Sequence, residues 1–164
     1  MKIKRSTIAV IAVLAVLAIG VAVLAVLNGR EAAQKKQRLS DEYFVILADG
    51  TEHRVTMEDI EALGPRDIQA NYKKSGKDPE TRVYTGVPFA AVLRHIGVDP
   101  VKFRSAAFAA SDAFMSIRPM EVALDENNCF IVIDDGGEGP FRMILAKDRF
   151  SQYWCKLLTD VTLK

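Results

Sequence analysis

Cysteine, histidine and tryptophan are scarce in this chain of 164 residues, with two, two and one copies, and neither sign of charge dominates, at 22 Lys+Arg against 21 Asp+Glu. Cys129 and Cys155 are too few for a disulfide scaffold and lack the C-x-x-C spacing and histidine company of a zinc site. They read either as one structural disulfide in an oxidising compartment or, more simply, as two small buried hydrophobes in apolar stretches. His53 and His95 provide poorly for a histidine-ligated haem or transition metal. Balanced charge leaves no electrostatic footprint for a nucleic-acid partner.

Glycine-rich phosphate and metal signatures are missing as well. Lys73, Lys74 and Lys77 surround Ser75-Gly76 without the G-x-x-x-x-G-K-[ST] order of a P-loop, so the segment reads as a solvated hairpin tip. Asp134-Asp135-Gly136-Gly137-Glu138-Gly139 lacks the later glutamate of an EF-hand and the strand-to-helix setting of a dinucleotide site; it reads as a tight acidic turn. No serine or cysteine pairs convincingly with His53 or His95 for hydrolysis. No internal repeat is present.

What the chain does have is one long apolar run. From Ile8 to Leu27 every residue is Ile, Val, Leu or Ala, apart from Gly20. A helix of about 20 residues matches the hydrocarbon layer of a bilayer and satisfies its own backbone there. Its Ile, Val and Leu side chains favour insertion by about 4 to 8 kcal/mol. Lys2, Lys4 and Arg5 before it give the layout of a signal sequence, but the run is long for a cleaved one, no A-x-A-like site appears between Leu27 and Arg30, and Val23 and Ala25, which could serve a peptidase, lie inside the apolar run. The expectation is a retained signal anchor. Arg30, Lys35, Lys36 and Arg38 balance the charges on the other flank, so charge alone does not set the orientation. Ala15, Ala18, Ala22 and Ala25 fall on one side of the helix, a pattern that ordinary composition explains. The expected organisation is a cytoplasmic tail over 1–7, a single-pass membrane anchor over 8–28, a polar stalk over 29–42 and one domain over 43–164, on the extracytoplasmic side of the cell membrane.

The domain reads as α+β. Tyr43 to Ala48 predicts a strand, Asp49-Gly50 a tight turn and His53 to Thr56 a return strand. Thr56 then has the features of an N-cap, with Glu58 and Asp59 in the first turn of a short helix closed by Gly64-Pro65. Further strands are expected over 67–72, 82–85, 106–110, 114–117, 129–133, 141–146 and 157–163. A helix with Pro88 in its first turn runs through Phe89, Val92, Leu93 and Ile96 to Gly97. Residues 119–125 form a connector or a short helix.

Two stretches resemble the molybdopterin-binding domain of the sulfite oxidase type. Tyr84-Thr85-Gly86-Val87-Pro88-Phe89-Ala90-Ala91-Val92-Leu93, followed by Ile96-Gly97-Val98-Asp99, is similar to that family's Gly-Val-x-apolar helix. Gly139-Pro140-Phe141-Arg142-Met143-Ile144-Leu145, followed by Trp154-Cys155-Lys156, is similar to its Gly-x-Pro-x-Arg strand and later lysine. Ser111-Asp112 and Glu121-Val122 lie between them where the family often has Ser-Asp-Gly and Glu-Val. The resemblance spans Tyr43 to Lys164 and implies a mixed-sheet sulfite oxidase-type fold. It departs from the family where the molybdenum-ligand cysteine belongs: Ile68-Gln69-Ala70-Asn71-Tyr72-Lys73 contains none. Ala113 stands in place of a glycine, and Ala146-Lys147 in place of a proline.

The resemblance implies molybdopterin as the one candidate cofactor, with Arg142 and Lys156 as its anion contacts and Tyr72, Lys73, Ser111 and Asp112 bordering the cleft. A guanidinium suits a phosphate through two parallel hydrogen bonds. The alternatives are a structural Arg142 bonded between strands and an exposed Lys156. No metal ligands and no catalytic residues are assigned. The expected function is an extracytoplasmic domain that binds a ligand, or a membrane or redox protein partner, without molybdenum catalysis of its own. A molybdopterin-dependent oxidoreductase, or a subunit of one, and a scaffold or assembly module with a closed cleft stand as alternatives.

Overall fold

The computed structural model describes residues 5–73, 78–133 and 139–164. It holds two compact units, Met1–Lys36 and Gln37–Lys164. A single helix, α1 (Arg5–Ser40), covers the apolar run and continues unbroken through the segment read as a stalk. Its part from Leu14 is long and apolar enough to cross a membrane, a test that a signal sequence also meets.

The second unit is α+β, with nine strands among the described residues arranged in two sheets. β1 (Tyr43–Ala48) and β2 (Thr51–Thr56) form a hairpin in register from Tyr43↔Thr56 to Ala48↔Thr51. The two-residue loop needs positive φ at both positions, and Asp49 (φ 50°) and Gly50 (φ 75°) supply it, giving the turn whose twist suits a hairpin. α2 (Met57–Ala62) begins at a complete capping box. The Asp59 carboxylate accepts from the Thr56 backbone N–H at 2.8 Å, and the Thr56 hydroxyl accepts from the Asp59 N–H at 3.3 Å.

β3 (Arg66–Tyr72) and β4 (Glu80–Pro88) pair antiparallel over their whole shared length. β4 is longer than its apolar residues alone predict, because its far end also pairs with β7 (Cys129–Ile133). Pro88 is accordingly the last strand residue, and α3 (Phe89–His95) starts after it. α3 buries Phe89, Ala90, Val92 and Leu93. β5 (Ser105–Ala110) and β6 (Met115–Pro119) follow, then α4 (Met120–Ala123), β7, β8 (Phe141–Leu145) and β9 (Leu158–Leu163). The acidic run 134–138 and Lys74 to Lys77 of the lysine loop lie outside the described residues.

Strand order is β2-β1-β9-β5-β6 in one sheet and β3-β4-β7-β8 in the other. Only β1 and β9 pair in parallel, so the first sheet is mixed and the second antiparallel. The two share one apolar core. Phe44 of β1 meets Phe141 of β8 edge to face at 5.2 Å, and Phe89 of α3 meets Phe108 of β5 at 5.0 Å. Such pairs contribute roughly 0.5–1.5 kcal/mol each beyond their burial. β7 and β8 are covered on both faces, which is why they read as continuous apolar runs. Cys129 and Cys155 are both free and fully buried, so the disulfide reading falls and the small-hydrophobe reading holds.

Candidate functional site

Strand alternation assembles a cationic and aromatic cluster on one side of the second sheet. In β4, Arg82 and Tyr84 are two residues apart and share a face, and they pair with Ala70 and Ile68 of β3. Gly86, next on that face, pairs with Val132 of β7, which pairs with Arg142 of β8. Tyr72 closes β3. The segment after β8 turns through a 3₁₀ turn, Ser151–Tyr153, and comes back to bridge Met143 through Cys155. That bridge has Met143 N–H donating to the Cys155 carbonyl at 2.9 Å and Cys155 N–H returning at 3.0 Å.

Trp154 sits at the centre. Its ring lies 5.3 Å from Tyr84, edge to face, and 6.2 Å from Tyr72, while its indole N–H donates to the Leu145 carbonyl at 3.3 Å. Only 2% of the residue is exposed, so tryptophan fills the interior of the cluster. Cations ring it. The Arg82 guanidinium carbon is 4.1 Å from the centre of the Tyr72 ring, Lys156 Nζ is 5.5 Å from the same ring, and the Arg142 guanidinium is 6.0 Å from Tyr84. Arg82 also donates to the Glu80 carboxylate at 2.6 Å. Arg142, 6% exposed, forms the floor, and both it and Lys156 are engaged by the chain itself.

Lys73 borders this cluster through its backbone. Its N–H donates to the Ser151 hydroxyl at 3.1 Å, and that hydroxyl donates to the Lys73 carbonyl at 3.2 Å, fixing the end of β3 to the 3₁₀ turn. Its Nζ lies 4.6 Å from the Phe150 ring, which Arg149 also approaches at 5.1 Å. Four of the six expected contacts, Arg142, Lys156, Tyr72 and Lys73, thus come together. Ser111 and Asp112 reach the same end by main chain: the Ser111 N–H donates to the Leu157 carbonyl at 2.9 Å, one residue beyond Lys156. The Asp112 carboxylate instead closes its own loop, accepting from the Phe114 N–H at 3.1 Å beside Ala113 at φ 69°.

Arg82, Tyr84, Trp154, Ser151 and Phe150 were not legible as site residues in the sequence. The one local signal is the period-two Arg82-x-Tyr84 leading into Gly86. Burial pushes the Tyr84 phenol above its ordinary value, against the pull of Arg142 and Arg82, so it stays neutral. Burial also raises the Cys155 thiol to about 12, helped by Asp112, and raises Cys129 further still. Because Cys155 pairs with Met143, alternation puts its sulfur on the face opposite Arg142. Neither sulfur is offered to the cationic cluster as a thiolate.

Elsewhere in the domain, a concavity of about 230 Å³ between the β1–β2 turn and the segment after α3 gathers His53, Asp49, Asp99 and Lys102. Its charges are largely occupied locally: Lys102 lies 3.9 Å from Asp49, and Asp99 caps the 3₁₀ turn Pro100–Lys102. No group of three or more His, Cys, Asp or Glu side chains suited to a metal occurs among the described residues.

No known family model matches the chain, and no curated protein does. The likeness to the sulfite oxidase type therefore stands on the quoted motifs.

Proposed function

We propose that this chain is a membrane-tethered module of sulfite oxidase type that binds an anionic ligand, or an acidic group of a partner protein, and does no molybdenum chemistry of its own. The observation that carries the reading is the convergence of Arg82, Arg142 and Lys156 on Tyr72 and Tyr84, from four separate segments of the chain. Arg82 stands half exposed at the rim and Arg142 is buried at the floor, so an anion would meet the rim first. A guanidinium backed by an aromatic face keeps its fork directed and suits a carboxylate or a phosphate.

The donor set does not fit a molybdenum centre. The thiols are buried and neutral, and the stretch where the family carries its ligand cysteine offers Asn71 and Tyr72 instead. The basic rim suits the anionic end of a pterin as it suits any phosphate, and Trp154 fills the space behind it. That filling also favours a second reading, a scaffold whose cleft has closed.

The test uses the full chain purified in detergent from cells that make the cofactor, with molybdenum and pterin measured per chain and pyrophosphate titrated by calorimetry. The expected result is substoichiometric metal together with pyrophosphate binding that Arg82→Ala weakens by roughly tenfold to a hundredfold, as for loss of one charge-assisted hydrogen bond. Near-stoichiometric molybdenum would overturn the non-catalytic reading. An absence of pyrophosphate binding in the unaltered chain would leave the scaffold.

A further inference from the structure

Four strands are sheet edges among the described residues: β2, β3, β6 and β8. β2 carries Glu52, His53 and Arg54, β3 carries Arg66 and Asp67, and β8 is covered in part by its bridge to Cys155. Charge and cover of this kind stop edges from pairing with other chains. β6 differs. Its one charge is Arg118, next to its last residue, and Phe114, Met115 and Ile117 are 38%, 55% and 53% exposed.

The ladder shows which backbone groups of β6 are open. Ala110 N–H donates to the Phe114 carbonyl at one end of the β5–β6 pairing, and Met120 N–H donates to the Arg104 carbonyl at the other, each at 2.9 Å. The register between them runs without a break from Ser105↔Pro119 to Ala109↔Met115. Antiparallel pairs alternate between bonded and non-bonded. Ser116 and Arg118 therefore turn their N–H and C=O toward β5, and Met115 and Ile117 turn theirs outward.

A second observation lies between those two residues. Ser116 is 2% exposed, yet its hydroxyl has no hydrogen-bond partner among the described residues. The side chain therefore turns inward, and Met115 and Ile117 on either side of it turn outward.

We propose that β6 pairs antiparallel with β6 of a second copy of this chain, about a two-fold axis passing between the two Ser116 residues. In that register Met115 lies opposite Ile117 of the second copy, and every outward N–H on one chain meets an outward C=O on the other. The two Ser116 residues form a non-bonded pair, the arrangement that brings their Cα atoms closest. Arg118 falls opposite Phe114 rather than opposite another arginine, so like charges do not face each other. Centring the axis on Ile117 sets Met115 against Pro119, which has no N–H. Centring it on Met115 sets Ile117 against Ala113, whose φ of 69° is outside strand geometry. The surface is self-complementary in one register, as a two-fold interface requires.

The test uses the full chain. Ser116→Cys in native membranes, treated with copper–phenanthroline, should give a disulfide-linked dimer on a non-reducing gel, since Cα atoms of a non-bonded pair are about 4.5 Å apart, within disulfide reach. Gln69→Cys on the β3 edge, the control, should not. In detergent, sedimentation equilibrium should find a dimer whose dissociation constant rises at least about tenfold in Ile117→Pro, which removes an outward donor from each copy. The β5 ladder bonds are untouched by that change. Ile117→Lys tests the same edge by charge, and circular dichroism should find both variants folded. A monomeric wild-type chain would overturn the proposal, as would a dimer that survives both Ile117 variants and does not cross-link at Ser116.

Discussion

At Gly86 a side chain is absent because the neighbouring strand leaves no room for one. A Cβ there would lie 2.3 Å from the Ile131 carbonyl oxygen and 2.6 Å from the Val132 Cα, both backbone atoms that cannot swing aside. Gly86→Ala should therefore force β4 and β7 apart and lower stability by about 2–3 kcal/mol, the upper part of the range for overpacking. Urea unfolding checks it: the midpoint should fall with an unchanged slope, and an unchanged midpoint would mean that the strands separate freely. Gly86 stood out in the sequence as part of a motif, but the reason for it is a contact across 45 residues. Arg142 and Lys156 were legible in the same way. Their partners Tyr84, Arg82 and Trp154 were not, because the cluster exists only once β3, β4, β8 and the segment after the 3₁₀ turn are in register.

Among the elements, those set by neighbours in sequence were the most legible. The β1–β2 hairpin follows from Asp49-Gly50 and α2 from Thr56 and its first-turn acids, each a device complete within a few residues. The length of β4 depends on β3 and β7, and so its ends were misjudged. The α2 cap also reaches across the fold, since His95 at the end of α3 lies 3.2 Å from the Asp59 carboxylate. Partial burial raises the Asp59 pKa, but the Thr56 backbone N–H, the hydrogen bond with His95 and the Thr56 hydroxyl outweigh it and hold the carboxyl below its ordinary 3.8. A depressed carboxylate adds stability that is present above the unfolded value and is lost as pH falls through the folded one. Asp59→Asn should thus cost about 1 kcal/mol at pH 7, as for loss of a helix cap. The difference from wild type should shrink toward zero as pH falls through the carboxylate range. Chemical denaturation at pH 7 and at pH 2 measures it, and a difference as large at pH 2 as at pH 7 would remove the carboxylate as its cause.

At the scale of the whole domain the two sheets share one core, and the thiols report on it. Cys129 lies in β7 and Cys155, outside any strand, is bridged to β8, and both are fully buried. With the Cys155 thiol raised to about 12, the thiolate fraction at pH 8 is on the order of one in ten thousand even before access is considered. Cys129 is raised in the same direction by burial. Labelling of the native chain by a thiol reagent must then proceed through opening of the structure. If the core opens as a unit, both cysteines will label at the same rate, and urea will accelerate both with the slope of global unfolding. Mass spectrometry of partly labelled chains should accordingly find unlabelled and doubly labelled species, with few single adducts. Singly labelled Cys155 would instead mean that the segment from the 3₁₀ turn to Leu157 opens alone. In that case the Trp154 filling of the cationic cluster would be a door rather than a wall, and the cluster behind Arg82 would admit a deeper ligand than its rim allows.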